Sequence, residues 1–130
     1  GRFPFRKKKK VDENKLIYMQ IAEAIEDAVI SGELNEGDQV YSTNQFARLY
    51  GINPATAAKG INLLVEEGIL YKKRGIGMFV AEGARNMIVG KRKTQFIEDY
   101  ISKLIREAEK LNITKEELID LIKTYERGDK

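Results

Sequence analysis

Apolar residues recur at helical spacing from Leu16 to Ser31, which predicts an amphipathic first helix. Gly32 follows directly and can adopt the left-handed conformation of a helix C-cap. The residues expected to face the core are Ile17, Ile21, Ala24, Ile25, Ala28 and Val29, and those expected to face solvent are Glu23, Glu26 and Asp27.

A pair of helices joined by a turn at Gly51 is predicted after Ser42. Ser42 and Gln45 have the spacing of a capping box, which marks the start of the first helix. Asn53 can cap the second helix, and the proline after it suits the first helical position. The second helix is expected to run to Gly68 and has two distinct sides. The core side consists of Ala57, Gly60, Ile61, Leu64 and Val65, and the outer side consists of Ala55, Lys59 and Asn62, with Thr56 near the edge.

Short stretches rich in β-forming residues flank this helix pair. Ile69 to Lys73 and Met78 to Ala81 predict a hairpin, with Gly75 and Gly77 supplying positive φ angles in its turn. The segment from Gln39 to Tyr41 predicts a further short strand. A helix, a strand, two helices and a basic hairpin together make a winged helix-turn-helix.

The charged residues are sorted along the chain. Residues 11 to 83 carry six basic and eleven acidic groups, yet no acidic residue lies between Gln39 and Val65 or between Gly68 and Ala81. The second interval contains the basic run from Lys72 to Arg74. A polyanion could therefore approach this surface without repulsion. The alternative is a helical hairpin whose surface happens to lack carboxylates.

Composition excludes most kinds of catalysis. The chain has no Cys and no His, so it lacks a disulfide framework, zinc-finger spacing, a thiol nucleophile and an imidazole base. We therefore expect a protein that is not an enzyme, with no metal and no cofactor. No apolar run approaches the roughly 20 residues of a membrane span, and no signal peptide opens the chain, so no membrane partner and a cytoplasmic location are expected.

Two amphipathic helices are predicted beyond the hairpin. Ala84 to Lys93 is a basic connector or helix start, Thr94 to Leu111 is a helix, and Thr114 with Glu117 forms a capping box for the last helix. These helices cannot bury both apolar stripes alone. Packing against the first domain is one solution, and packing against a second copy is favoured because symmetric dimers are the commonest oligomers. The expected dimer residues are Ile97, Tyr100, Ile101, Leu104, Ile105, Ala108, Leu118 and Ile122.

Seven short motifs occur in a fixed order before residue 81. They are Tyr18-Met19-Gln20-Ile21-Ala22, Ser31-Gly32-Glu33-Leu34, Gly37-Asp38, Phe46-Ala47, Gly51-Ile52-Asn53, Glu67-Gly68-Ile69-Leu70 and Arg74-Gly75-Ile76-Gly77-Met78-Phe79-Val80. In this order, residues 16 to 83 resemble the DNA-binding domain of the GntR family of bacterial transcription regulators. The opening of the second helix of the pair, Asn53-Pro54-Ala55-Thr56, is similar to that of the YtrA subfamily.

The resemblance implies a domain that binds double-stranded DNA, followed by a short helical tail that dimerises. Many family members have arginines at the positions of Asn44, Pro54 and Ala58, so the DNA contacts here are expected to fall partly on other residues. The residues expected to contact DNA are Ser42, Thr43, Asn44, Asn53, Ala55, Thr56, Lys59, Lys73, Arg74, Gly75 and Gly77.

Together these features predict a mainly α fold with a small β-wing. We expect a flexible basic tail at residues 1–14, a winged helix-turn-helix at 15–83 and a helical dimerisation region at 84–130. The expected function is transcription regulation, as a homodimeric repressor on a two-fold operator, and the subfamily implies its own operon and transporter genes as targets. The alternative is a winged-helix protein-interaction module in which Leu63, Tyr71 and the terminal helices hold a protein partner.

The sequence identifies no small-molecule effector. The 47 residues after the wing leave little room for a pocket of the few hundred Å³ that ligands occupy. The space between two subunits is the alternative place for an effector.

Overall fold

The computed structural model describes residues 16 to 128, so the expected tail at residues 1–14 lies outside the described part. The described chain forms two compact units, and the boundary between them falls after Gly90. The helices are α1 (Ile17–Ser31), α2 (Thr43–Tyr50), α3 (Pro54–Glu66), α4 (Ala84–Phe96), α5 (Ser102–Lys110) and α6 (Lys115–Thr124), with a π-helical turn at Ile97–Ile101. The strands are β1 (Leu70–Lys73) and β2 (Gly77–Val80). The predicted fold class, mainly α with a small β-wing, is confirmed.

The core of the first unit lies between α1, α2 and α3 and is closed by the wing strands. Helix α1 packs closely against α3, and a Cβ added to Gly60 of α3 would lie 2.4 Å from the backbone oxygen of Tyr18. Such a separation is too short for any side chain, so glycine is required at this crossing. The side chains buried most completely are Phe46, Ile21, Ile25, Leu34, Ile61, Leu64, Ile69, Leu70, Ile88 and Val80.

Helix α1 buries a wider face than its sequence pattern predicted. Glu26, expected to face solvent, is only 2% exposed, because α1 buries two adjacent rows of residues and Glu26 lies in the second row between Ala22 and Val29. Ile17, expected to face the core, is 37% exposed because it lies in the first turn, before the buried part of the helix begins. Both expectations were wrong.

The predicted helix caps of the pair are present. The Ser42 hydroxyl accepts a hydrogen bond from the Gln45 N–H at 3.2 Å, and the Gln45 side-chain oxygen accepts one from the Ser42 N–H at 2.8 Å. Asn53 Oδ1 accepts from the Ala55 N–H at 2.8 Å, and Gly51 ends α2 with a φ of 65°. Helix α3 stops two residues short of its predicted end. These caps satisfy free amides at both helix starts.

The wing is an antiparallel hairpin in which Leu70 pairs with Val80 and Lys73 pairs with Gly77. Gly75 and Gly77 have φ angles of 76° and 148°, so their predicted positive φ is confirmed. These conformations favour glycine because they bring a Cβ too close to the backbone.

The strand expected before α2 is only a single bridge, between Gln39 and Phe79. The Val40 N–H donates to the Met78 oxygen at 2.9 Å, but pairing goes no further because the chain turns into the cap of α2 at Ser42. The three-residue strand prediction was therefore too long. The bridge nevertheless ties the segment before α2 to the wing.

Helix α4 begins directly after the wing, where the sequence pattern left open a connector or a helix start. Its Ala84 and Ile88 are fully buried in the first unit. The Glu36 carboxylate accepts a hydrogen bond from the Gly83 N–H at 2.9 Å. Arg85 Nη1 donates to the Val29 oxygen at 3.3 Å, and also to the Ile30 oxygen. These contacts explain why the first unit extends into α4.

The second unit contains the π-helical turn, α5 and α6. Asn112, with a φ of 59°, lies in the turn that separates α5 from α6, at the predicted break. The predicted capping box of α6 is present, because Thr114 Oγ1 accepts from the Glu117 N–H at 3.1 Å and Glu117 Oε1 accepts from the Thr114 N–H at 2.9 Å. Among the described residues of this unit, 91 to 128, only Ala108 is buried. Most of the apolar surface of these residues is therefore not covered within this unit.

Gly60→Ala should lower the free energy of unfolding by about 1–3 kcal/mol, since the added methyl group collides with the α1 backbone. Urea unfolding followed by circular dichroism measures this change. Gly90→Ala is the matched control in another helix, where nothing lies within 4 Å of the added methyl group. It should stabilise by about 0.5–1 kcal/mol. Equal effects of the two substitutions would contradict a tight crossing at Gly60.

Candidate nucleic-acid interface

A groove of about 480 Å³ lies between the start of α2 and the wing. It joins residues that are more than twenty positions apart in the sequence, because the bridge before α2 fastens that segment to β2. Four of the predicted DNA-contacting residues line it, together with one residue of the basic run in the wing. These are Ser42, Thr43, Asn44, Lys72 and Gly77.

Gln39 links the two walls of this groove and was not among the predicted site residues. Its Nε2 donates to the Ile76 oxygen at 3.0 Å, which fixes the turn of the wing. A Cβ on Gly77 would lie 2.5 Å from the same nitrogen. The sequence carries no local signal for this contact because the partners are 37 residues apart.

The basic groups of the wing are held against its aromatic residues or project from its tip. Lys73 Nζ lies 4.5 Å from the ring centroid of Phe79 and 6.0 Å from that of Tyr71. The two rings stack with their centroids 5.9 Å apart. Arg74 and Gly75 are exposed at the tip. The wing therefore carries Lys73 beside its stacked aromatic rings and Arg74 at its exposed tip.

The outer side of α3 is free of the core, as predicted. Ala55, Lys59 and Asn62 are exposed and Thr56 is half-buried. A second groove, of about 520 Å³, runs along this side, and Lys59 Nζ lies over the ring of Tyr18, 4.2 Å from its centroid. The residues lining this groove are Tyr18, Ala55, Ala58, Lys59, Asn62, Leu63 and Glu66.

The predicted site residues therefore fall into separate clusters. Those at the start of α2 border the wing groove, whereas Ala55 and Lys59 line the groove on α3. Asn53 lies at the α3 start and uses Oδ1 to cap that helix. Its role in DNA contact stays a prediction, as do the roles of the other site residues.

The groove between α2 and the wing suits an anion, because Lys72 is the charged residue that lines it, whereas both Lys59 and Glu66 line the groove on α3. Glu66 is the one carboxylate among the residues that line either groove, and it lies in the last turn of α3.

Tyr50 is a core residue of α2 that lines neither groove. Burial raises the pKa of its hydroxyl to about 12, and the negative charge of Asp27 adds to the shift. The Tyr50 hydroxyl is therefore protonated at neutral pH.

Residues 16 to 128, the described part of the chain, contain neither a metal site nor a membrane-spanning helix. No group of acidic, His or Cys side chains in this part of the chain could hold a metal ion. No helix within it has both the length and the hydropathy needed to cross a membrane.

The predicted dimer residues lie mostly on the surface of the second unit. Ile97, Tyr100, Ile101, Leu104 and Ile122 are exposed, and Ile105 and Leu118 are half-buried. Ala108 is buried within a single chain and offers little surface to a partner. The others form an apolar surface that its own unit does not cover.

The three-helix core, the helix pair and the two-stranded wing define a winged helix-turn-helix protein. The family model for bacterial regulatory proteins of the gntR family matches residues 17–80. The chain is also 30% identical over 107 residues to the HTH-type transcriptional repressor YtrA of Bacillus subtilis strain 168, with 82% of each chain covered. The chain belongs to the GntR family of bacterial regulatory proteins, and its relatives there are transcription regulators rather than enzymes.

Solved structures agree with this assignment. A GntR family transcriptional regulator from Listeria monocytogenes has a TM-score of 0.74 at 30% identity, over 89% of this chain and 100% of that chain. The AraR DNA-binding domain in complex with operator ORX1 has a TM-score of 0.50 at 29% identity, over 57% of this chain and 90% of that chain. The predicted resemblance to the GntR family and to YtrA-like regulators is confirmed.

Gly77→Ala should weaken duplex binding by about 1 kcal/mol, because the added methyl group displaces the Gln39 amide from the turn of the wing. Fluorescence anisotropy with a labelled duplex measures the change. Gly32→Ala is the matched control, since Gly32 also has a positive φ, of 90°, but nothing lies within 4 Å of the added methyl group. Both substitutions should cost stability, and only the first should cost DNA affinity. Equal affinities for the two variants would mean that wing geometry does not affect binding.

Proposed function

We propose that the chain is a homodimeric repressor that places α3 of each subunit in the major groove of a two-fold operator. The observation that carries this proposal is the division of α3 into two sides. Its inner side is buried against α1 and α2, whereas Ala55, Lys59 and Asn62 remain exposed. An exposed, acid-poor side on the second helix of a helix-turn-helix is the part that enters the major groove in this class of protein.

The groove between α2 and the wing suits the phosphate backbone beside the bases. The free amides at a helix start attract anions, and lysines on the wing add positive charge. In this arrangement Ser42, Thr43 and Asn44 contact the backbone from one wall, and Lys72 contacts it from the other. Lys73 and Arg74 contact phosphates outside the groove. Such contacts position the protein without reading the sequence.

The exposed apolar surface of the second unit supports a homodimer. Within the described chain, ten large exposed apolar side chains lie between Phe96 and Tyr125. Contiguous apolar surface of this kind is typical of an interface, and an operator read twice requires two copies of the reading helix. We therefore assign residues 15–83 to DNA binding and residues 84–130 to dimerisation. The similar protein YtrA is a transcriptional repressor by name, which supports repression rather than activation.

Selection of bound sequences from a random duplex pool tests the function as a whole. Full-length protein should enrich a two-fold symmetric sequence, with half-sites about one helical turn apart. Enrichment of no sequence, or binding that does not weaken with salt, would contradict operator recognition and favour a protein partner.

Leu104→Asp should separate the dimer, because it would bury an unpaired carboxylate in the apolar interface. We expect the dimer to dissociate at least about a hundredfold more readily, corresponding to about 3 kcal/mol or more. Analytical ultracentrifugation of the full chain measures the change. Lys103→Asp is the control, since Lys103 is exposed on the same helix but outside the predicted stripe. If both variants stayed dimeric, the interface would lie elsewhere.

Lys59→Ala should cost about 1–3 kcal/mol on the selected operator and much less on random duplex, because lysine at this position can pair with guanine O6 and N7. Lys73→Ala should weaken both alike and lower the salt slope by about 1, as expected for a phosphate contact. Titrations of both duplexes at several salt concentrations measure these effects. Equal losses for Lys59→Ala on operator and random DNA would instead make it a phosphate contact.

A further inference from the structure

We infer that Tyr18 is a positioning residue for sequence reading, because its ring holds the Lys59 ammonium at one place on the outer side of α3. This inference rests on the proposed function and deepens it. It adds a residue of α1 to the recognition surface, although α1 itself is mainly a core helix.

The contact between the two side chains has the geometry of a cation–π interaction. Lys59 Nζ lies 4.2 Å from the ring centroid of Tyr18, within the roughly 6 Å range of such contacts. Lys59 is otherwise exposed and Tyr18 is half-buried. The ring is therefore partly desolvated, and the ammonium group that lies over it still faces solvent.

The backbone positions that carry the ring and the lysine are fixed relative to each other. The backbone oxygen of Tyr18 lies at the closest approach of α1 and α3, only 2.4 Å from the position of a Cβ on Gly60. Ile21 Cβ lies 3.0 Å from the same position. Gly60 is the direct neighbour of Lys59 in the chain. Since both ends of the contact are anchored at one crossing, the ammonium has a defined position before DNA binds.

This position matters because α3 carries few other groups able to read bases. Lys59 is the only basic residue in Pro54–Glu66, and Ala55 and Ala58 leave the groove around it open. A lysine side chain is flexible and can swing between a phosphate and a base edge. The Tyr18 ring occupies one side of the ammonium, which leaves its remaining N–H donors for the O6 and N7 atoms of a guanine.

Two other roles of the ring are possible. It could serve only to pack α1 against α3, or it could hold Lys59 away from DNA. A packing role predicts that loss of the ring affects binding to every duplex alike, with or without the lysine. A withholding role predicts tighter operator binding when the ring is lost.

A double-mutant cycle in the full chain separates these roles. The variants are Tyr18→Leu, which removes the ring, Lys59→Met, which removes the charge, and the two combined. Tyr18→Phe keeps the ring and is the conservative rescue. Each is titrated by anisotropy against the operator selected with wild-type protein and against random duplex, and the thermal unfolding midpoint of each free variant is recorded.

We expect Tyr18→Leu to weaken operator binding about two- to fivefold, the equivalent of an exposed cation–π contact, and to leave random duplex binding nearly unchanged. Tyr18→Phe should bind as wild type does. In the Lys59→Met background, Tyr18→Leu should have no further effect on operator binding. Equal losses on both duplexes, a loss that persists without the lysine, or tighter operator binding by Tyr18→Leu would each overturn the inference.

A second measurement does not depend on the folding of Tyr18→Leu. In nuclear magnetic resonance spectra of the free wild-type protein, the ring current of Tyr18 should shift the Lys59 ε-methylene protons upfield of those of the exposed Lys103. Tyr18→Phe should preserve that shift. Coincident Lys59 and Lys103 signals would overturn the inference. The proposed function fails separately, if wild-type protein selects no sequence at all.

Discussion

The close crossing of α1 and α3 is the constraint on which the reading domain depends. At Gly60 the α3 backbone comes so near to Tyr18 that a single methyl group has no space. This approach brings Ile61 and Leu64 into full burial against the other core residues. Once the inner side of α3 is fixed in this way, the helical geometry fixes its opposite side toward solvent. The exposed side of α3, which is the proposed recognition surface, is thus a direct consequence of how the core packs.

The start of α4 is stabilised by charge as well as by packing. Arg85 donates to the last carbonyl groups of α1, and Glu36 accepts from the amide that precedes α4. A cation at a helix C-terminus and an anion at a helix N-terminus both interact favourably with the helix dipoles. The junction between the wing and α4 is therefore an ordered part of the domain. Among the acidic residues from 16 to 83, Glu66 is the only one that lines either groove, so the others do not face a polyanion bound there.

The features that sequence could predict have local causes. The capping boxes at Ser42 and Thr114, the αL cap at Gly32 and the wing glycines depend only on near neighbours, so their residue types determine them. Family resemblance added the assignment to bacterial transcription regulators. The burial of Glu26 was missed because a helical wheel assigns faces by polarity, whereas the width of a buried face depends on which helices surround it.

The missed contacts of the site join residues that are distant in the chain. Gln39 reaches the wing turn, and Tyr18 lies under Lys59, only because the folded backbone brings each pair together. Arg85 looked like part of a basic connector because charges dominate the composition there, yet it caps α1. The predicted residues Ser42, Asn44 and Lys59 were found in grooves because helix starts and outer helix faces are readable from periodicity.

Under the proposed function, the two small residues on the outer side of α3 make the operator preference easy to change during evolution. Ala55 is exposed and Ala58 half-buried, and both border an open groove rather than the core. A longer side chain at either position would extend into that groove and leave Gly60 and its neighbours untouched. Folding and recognition are therefore constrained by different residues of one helix. A duplicated gene for such a chain can acquire new target sequences by single substitutions while its scaffold is inherited unchanged.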